Sequence, residues 1–343
     1  MKHINIPIFI PHLGCPNQCI FCNQRSISGT HEFDEGSVDN IIKEVLSTTC
    51  DDCDCEIAFF GGSFTGIDRG LMIRLLDKAQ GYVNNGQAVG IRMSTRPDYI
   101  NEEIIDILKK YSITAVELGV QSMNNEVLSF LKRGHTANDT IKAVELLNKA
   151  EIPFVGQMMV GLPTSTERDE IECAEQICKL GAVATRIYPT IVFKNTELEH
   201  ITKTGVYLPL TLEEAVRRSA QVYKVFVDNN VKCLRIGLCE SENLHSENTY
   251  YAGPNSASVG EMVKSRLYFE IICQLINEHR FSSAENLFIE CSRGKLSQVI
   301  GNKRANITEL KEKFGYKYIK VCENSDLKEF EIILKEKEES QCV

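Results

Sequence analysis

From Ile4 to about Pro189 the sequence repeats one alternation, a short apolar run followed by an amphipathic helical stretch. Each apolar run needs cover on both faces, and parallel strands joined by right-handed helical crossovers give that cover. Strands are expected at residues 6–10, 56–60, 89–94, 115–120, 154–160 and 184–188. Helices are expected at 38–46, 71–79, 102–110, 124–131, 140–149 and 167–179. Six such units without a short internal repeat point to the α/β class and to an incomplete, TIM-like (β/α)6 barrel, with ligands at the carboxyl ends of the strands.

Past residue 190 the alternation loosens into a helix at 212–229, a strand at 231–236, a polar loop at 241–255 and a helix at 258–279. From 286 the order becomes strand 286–291, helix 295–300, turn 301–304, helix 305–314, and strands 316–322 and 330–334. Two domains are therefore expected: residues 1–284, the barrel with its extension, and 285–343, a small α+β domain with a charged tail. Usage is 43% apolar and 25% charged, which excludes disordered and collagen-like chains. There is neither a long apolar run nor the basic-then-apolar order of a secretory signal at Met1-Lys2-His3, so a cytoplasmic protein without a membrane partner is expected. The net charge of −9 gives no general attraction to nucleic acid, so any such partner needs a local patch.

Three of the 14 cysteines, Cys15, Cys19 and Cys22, fall in one short loop directly after the first strand. Three thiolates there can turn onto one metal centre. Four would close an ordinary iron–sulfur cube, whereas three leave one iron open to a small molecule. A zinc knuckle is the competing reading, but zinc prefers four ligands and pair-plus-pair spacing. A second group, Cys50, Cys53 and Cys55, precedes the second strand without an obvious fourth ligand and is read as reduced thiols in a polar loop, with a second metal as the alternative. Gly61-Gly62-Ser63 ends the second strand, where missing side chains let a ligand or a backbone come close.

This spacing at the end of the first barrel strand resembles the radical S-adenosylmethionine (radical SAM) superfamily. Ser94-Thr95-Arg96-Pro97-Asp98-Tyr99, Glu117-Leu118-Gly119-Val120-Gln121-Ser122, Lys132-Arg133-Gly134-His135-Thr136, Met158-Met159-Val160-Gly161-Leu162-Pro163 and Arg186-Ile187-Tyr188-Pro189-Thr190 are similar to the radical SAM region of the elongator catalytic subunit family. The resemblance implies a [4Fe–4S] cluster on Cys15, Cys19 and Cys22, with SAM on the open iron and a one-electron reductant as partner. It further implies that Gly61, Gly62 and Ser63 meet the SAM ammonium, although Ser63 stands where many members have Glu. Ser94 and Gln121 would lie by the ribose, Arg133 by the carboxylate and Gln157 by the adenosyl side. Phe21 would cover the cluster or the adenine, unless it simply packs. His135 and Tyr188 are candidates for moving a proton or hydrogen atom, with plain structural roles as the alternative.

The elongator subunit carries an acetyltransferase domain after its barrel, and the 58 residues from Asn286 to Val343 leave no room for one, so the acetylating reaction is not expected here. The carboxyl-terminal segment, with Gly301-Asn302-Lys303-Arg304 between two helices, instead resembles a KH domain in which the second glycine of the Gly-x-x-Gly loop is Arg304. Residues 286–321 hold eight Lys or Arg against three Glu, which makes Lys303 and Arg304 candidate phosphate contacts. The expected function is a radical SAM enzyme that modifies RNA, with tRNA as the expected substrate. The alternatives are a radical SAM enzyme with a small, tetrapyrrole-like substrate and an RNA-binding protein with a structural cluster.

Overall fold

The expected alternation is present as β1 (Lys2–Phe9), α1 (Val38–Thr48), β2 (Cys53–Phe60), α2 (Arg69–Asn84), β3 (Gly90–Thr95), α3 (Glu102–Leu108), β4 (Ile113–Gln121), α4 (Asn125–Phe130), α5 (Ala137–Lys149), β5 (Phe154–Val160), α6 (Glu167–Lys179) and β6 (Ala184–Pro189). The structure is a computed structural model that describes residues 2–10, 13–15, 19–23, 33–50, 53–238, 249–278 and 285–336. The chain forms two compact units, Met1–Thr211 with Val225–Asn255 and Leu212–Lys224 with Ser256–Val343.

In the first unit the strands run parallel in the order β1-β2-β3-β4-β5-β6, with residues Lys232–Ile236 as a further parallel strand, β8, beside β6. This seventh strand extends the six expected barrel strands by one. It comes after α8 (Leu212–Asp228), and α7 (Glu197–Lys203) lies between β6 and α8. Phe60 on β2 and Arg186 on β6 show how strongly this sheet curls. Four strand spacings on a flat sheet would separate them by about 19 Å, yet the guanidinium of Arg186 sits 5.7 Å from the Phe60 ring centre. Side chains from distant strands therefore meet inside a curled half-barrel, and β1 and β8 stand at the two ends of its strand order.

Local chemistry fixes where the helices begin. Thr136 caps α5 and Thr166 caps α6 in reciprocal capping boxes with Asp139 and Asp169, and Asp68, Asn101 and Asn124 cap α2, α3 and α4. All of these caps but Thr136, which lies between α4 and α5, sit in a loop that leaves a strand's carboxyl end, so they also set the length of the loops that carry the site. The stretch 241–255 departs from its expected loop: Tyr250–Ala252 is a short strand, β9, antiparallel to β7 (Val192–Phe193). Pairing across nearly 60 residues satisfies backbone groups that neither segment's own sequence announces. Residues 239–248 lie outside the described residues.

In the second unit, α9 (Val259–Glu278) is followed by β10 (Asn286–Ser292), α10 (Leu296–Ile300), α11 (Ala305–Phe314), β11 (Tyr318–Asn324) and β12 (Ile332–Lys335). The sheet order is β11-β10-β12, with β10 parallel to β11 and antiparallel to β12. Leu287, Ile289 and Cys291 alternate along one face of β10 and are fully buried against Tyr268, Ile272 and Ile276 of α9 and against Val299 and Leu310. Asn306 is buried at the start of α11, and its side-chain amide donates to the carbonyls of Ser265 and Val299.

Candidate active site at the carboxyl ends of the strands

The cysteine loop is seated by backbone. Gly14 has a φ of +72°, and a Cβ there would stand 2.7 Å from the Gly66 carbonyl carbon and 2.8 Å from the Ile67 nitrogen. A Cβ on Gly62 would meet the Leu13 and Ile10 carbonyl oxygens at 2.5 and 2.7 Å. Ser63 N–H donates to the Leu13 carbonyl (3.2 Å), and its buried hydroxyl lies 3.5 Å from the Cys15 sulfur. Gly62 and Ser63 thus pack directly on the cysteine loop. Further along, Ile20 is held at both backbone groups, its N–H donating to Leu131 and its carbonyl accepting from Leu198, while Cys22 N–H closes a turn onto Cys19. Phe21 packs on the apolar cluster of Ile20, Val127, Leu131, Leu162 and Leu198. Cys19 is buried, and Cys15 and Cys22 are half-buried.

Two arginines approach these thiols. Arg133 comes just after α4, is 8% exposed, and donates from Nη1 to the Cys19 sulfur (3.3 Å) and from Nη2 to the Gly119 carbonyl (2.9 Å), while its Nε has no partner among the described residues. Arg96 comes just after β3 and grips Asp98 with two hydrogen bonds (2.9 and 2.8 Å), leaving Nη1 without a partner among the described residues. Gln121, at the irregular end of β4, has a φ of 64°, in the left-handed region that non-glycine residues seldom adopt. Its buried Oε1 likewise has no partner among the described residues. Unsatisfied buried donors and acceptors of this kind are costly and rare in folded chains, and strained backbone gathers at functional sites. His135 lies behind them, 4% exposed. Burial first, and then the charge of Arg133, pushes its pKa down to about 4, so the ring is neutral at physiological pH.

Beneath this rim the barrel lumen holds an ionic floor. Glu117 on β4 is fully buried and accepts from both Arg186 Nε (2.8 Å) and Nη2 (3.0 Å), from Gln157 Nε2 (2.7 Å) and from Arg92 Nη1 (3.4 Å). Arg92 in turn donates to Glu56 on β2 (2.6 Å), which also takes a hydrogen bond from Thr114. Two carboxylates and two guanidinium groups alternate across the strands, so each buried charge faces its opposite. The carboxylate also orients the Gln157 amide. Its nitrogen is taken by Glu117 and, at 3.4 Å, by Ser94 Oγ, which leaves the carbonyl oxygen as the group Gln157 offers elsewhere.

Of the residues expected at the site, Cys19, Arg133 and Gln121 converge around Gly119, and Cys15 meets Ser63 as Ser94 meets Gln157. Tyr188 is half-buried near the end of β6. Arg96, Asp98, Glu117 and Arg186 carry no role in the sequence reading. Their signal is a charge inside or just after an apolar strand run, which alternation points into the lumen or the loop above it. One expectation is corrected outright. Cys50 and Cys53 are joined by a disulfide rather than left as reduced thiols or given to a metal, because the turn before β2 brings their Cα atoms to 5.4 Å, well within disulfide reach. Cys55 is buried apart from them beside Thr49. In the second unit, Lys303 and Arg304 are exposed and both left-handed, at φ 50° and 65°. Arg304 thus keeps the backbone conformation that a glycine at the same place would favour.

The donor set suits an iron–sulfur cluster: three soft thiol sulfurs lie in one loop, and the cationic Arg133 beside Cys19 suits an anionic ligand next to it. Comparison with known proteins agrees. The Radical SAM superfamily profile matches residues 9–177, and that of the Radical_SAM C-terminal domain matches residues 183–268. An uncharacterized protein of Methanocaldococcus jannaschii is 30% identical over 223 residues, 61% of this chain and 67% of that one. The tRNA uridine(34) acetyltransferase of the same organism is 38% identical over 133 residues, 38% of this chain and only 25% of that protein. The chain therefore spans about a quarter of that relative. The structure of the archaeal Methanocaldococcus infernus Elp3 with N-terminus deletion (1-46) superposes with a TM-score of 0.61 at 22% identity, covering 81% of this chain and 63% of that one, a likeness of fold. The chain belongs to the radical SAM superfamily of enzymes.

Proposed function

We propose that the protein binds a [4Fe–4S] cluster through Cys15, Cys19 and Cys22, binds SAM beside it, and uses the pair to modify tRNA. The observation that carries this reading is the set of buried groups around the cysteine loop that have no hydrogen-bond partner among the described residues, Arg133 Nε, Arg96 Nη1 and Gln121 Oε1. When bound, the cluster supplies one electron for cleaving SAM to methionine and a 5′-deoxyadenosyl radical. The chain's own residues hold and shield. Arg133 offers a fixed cation to a carboxylate, and Gly61 and Gly62 keep side chains away from an ammonium. Gln121 and Ser94 offer polar groups to a ribose, and Gln157, its amide fixed by Glu117, presents an acceptor on the adenosyl side. Phe21 shields the loop on its apolar flank.

RNA as the substrate is supported by the name of the acetyltransferase relative and by the basic stretch 286–321, with Lys303 and Arg304 at its exposed turn. The region 285–343 is read as a KH-like domain whose left-handed Lys303-Arg304 turn contacts phosphates.

The test is anaerobic reconstitution with iron and sulfide, addition of SAM and dithionite, and quantification of 5′-deoxyadenosine beside the Cys15→Ala, Cys19→Ala, Cys22→Ala triple variant. Product from the native protein alone is expected. A bound, reducible cluster with no SAM cleavage would make the cluster structural, and failure to take up a cluster would end the reading. Product formation without salt-sensitive tRNA binding would move the substrate to a small molecule.

A further inference from the structure

Arg96 holds one of the most completely buried charges in the barrel, at 1% exposure, yet none of the groups assigned to SAM depends on it for a hydrogen bond. Among the described residues its hydrogen-bonded anion is Asp98, and the two partners are unequally wet: the side chain of Arg96 is 2% exposed and that of Asp98 27%. Water therefore screens the carboxylate more than the guanidinium, and a net positive field remains on the buried side.

The packing shows what that field falls on. Next to Arg96 in sequence, Thr95 Oγ1 lies 2.7 Å from Thr65 Oγ1, and Thr65 donates to the Tyr99 carbonyl at 3.0 Å. The Arg96–Tyr99 turn thus rests on the same loop after β2 whose Ser63 touches Cys15. On its other side the Thr95 carbonyl lies 3.6 Å from the Cβ position of Gly119, where Arg133 passes on its way to Cys19. Arg96 stands between the supports of two of the three thiols. Burial opposes its charge, but the Asp98 hydrogen bonds and charge, and then the charges of Cys19 and Cys15, outweigh that, and its pKa lies above the ordinary arginine value. The guanidinium is a permanent cation that the loop cannot titrate away.

We propose that Arg96, together with Arg133, sets the electrostatic potential at the cysteine loop and so raises the reduction potential of a cluster held there, acting as a positioning charge without touching the reacting atoms. This rests on the reading that Cys15, Cys19 and Cys22 hold a cluster. The reduction adds one electron from a one-electron donor, dithionite in the experiment. No bond to the protein forms or breaks and no proton is taken up. The charge at the site changes by minus one, and a fixed positive charge nearby favours the reduced side.

The experiment is a redox titration of the anaerobically reconstituted full chain, followed by electron paramagnetic resonance. Wild type is compared with Arg96→Gln, Arg96→Lys and Asp98→Asn, and iron and sulfide are quantified in each. Arg96→Gln is expected to be at least tenfold less reduced at the wild-type midpoint, a shift of about 59 mV for a one-electron couple. Arg96→Lys should stay near wild type. Asp98→Asn, which removes a negative charge and leaves Arg96 in place, should shift in the opposite direction to Arg96→Gln. Opposite signs separate a field effect from a loosened loop, which would move both variants the same way. If Arg96→Gln cannot hold iron, Asp98→Asn decides: its potential must rise above wild type while Arg96→Lys stays near it, and an unchanged or lowered potential in Asp98→Asn overturns the inference. Unchanged potentials, or shifts of one sign, overturn this inference alone. A wild-type chain that takes up no cluster removes the underlying reading and the inference with it.

Discussion

The smallest residues at the site make the sharpest demands. A Cβ at position 119 would stand 2.5 Å from Arg133 Nη2 and 3.1 Å from Gln121 Nε2. Gly119→Ala is therefore expected to displace both side chains, weakening SAM binding at least tenfold by equilibrium dialysis while the fold persists in circular dichroism. His135 makes a pH prediction. The folded protein keeps the ring neutral down to about 4, whereas the unfolded chain takes up a proton near 6.5. The unfolded state binds more protons across that window, so the stability present above it is lost as pH falls through it, on the order of 2 kcal/mol from about pH 7 to about pH 5. Urea unfolding at the two pH values should show that loss in wild type and not in His135→Asn. The sequence displays some of this and hides the rest. Cys15, Cys19, Cys22 and the Gly61-Gly62 pair are legible because soft ligands and missing side chains are rare in a fixed spacing. Arg96 is not, because a buried arginine after a strand looks like a solvated one until its neighbours are known. The Cys50–Cys53 disulfide is hidden too, since four residues of a polar loop do not reveal how tightly the turn closes.

The elements were more legible than their pairings. Apolar runs and amphipathic helical stretches located the six strands and the helices between them because both signals are local. The β7 to β9 pair depends on contacts between distant segments and left no periodic trace. The ionic floor links β2, β3, β4 and β6 across the lumen. Arg186→Met would leave the fully buried Glu117 short of two charged donors, and a cost of about 3–5 kcal/mol is expected in chemical denaturation. Removing both charges, as Arg186→Met with Glu117→Gln, should cost clearly less than Arg186→Met alone, because an unmatched buried charge is worse than none. Equal costs would mean that the pair is bathed in water and does not brace the lumen.

For the whole molecule, a net charge of −9 and a basic carboxyl-terminal stretch predict a particular salt behaviour toward RNA. If Lys303 and Arg304 each neutralise a phosphate, the double variant Lys303→Ser, Arg304→Ser should lower the slope of log affinity against log salt by about 1.4 for single-stranded RNA. A slope equal to that of wild type would place the phosphate contacts elsewhere. The interlock between the cysteine loop and the loop after β2 reaches further than either loop. Gly14 sits against the Gly66 backbone, Gly62 against that of Ile10 and Leu13, and a Cβ on Gly66 would come 2.6 Å from the Gly14 carbonyl oxygen. Each loop is the mould in which the other is cast. A hybrid protein that takes the first loop from a distant relative and keeps the second should misfit, while one that exchanges both together should assemble, so the two segments form one heritable part although nearly fifty residues separate them.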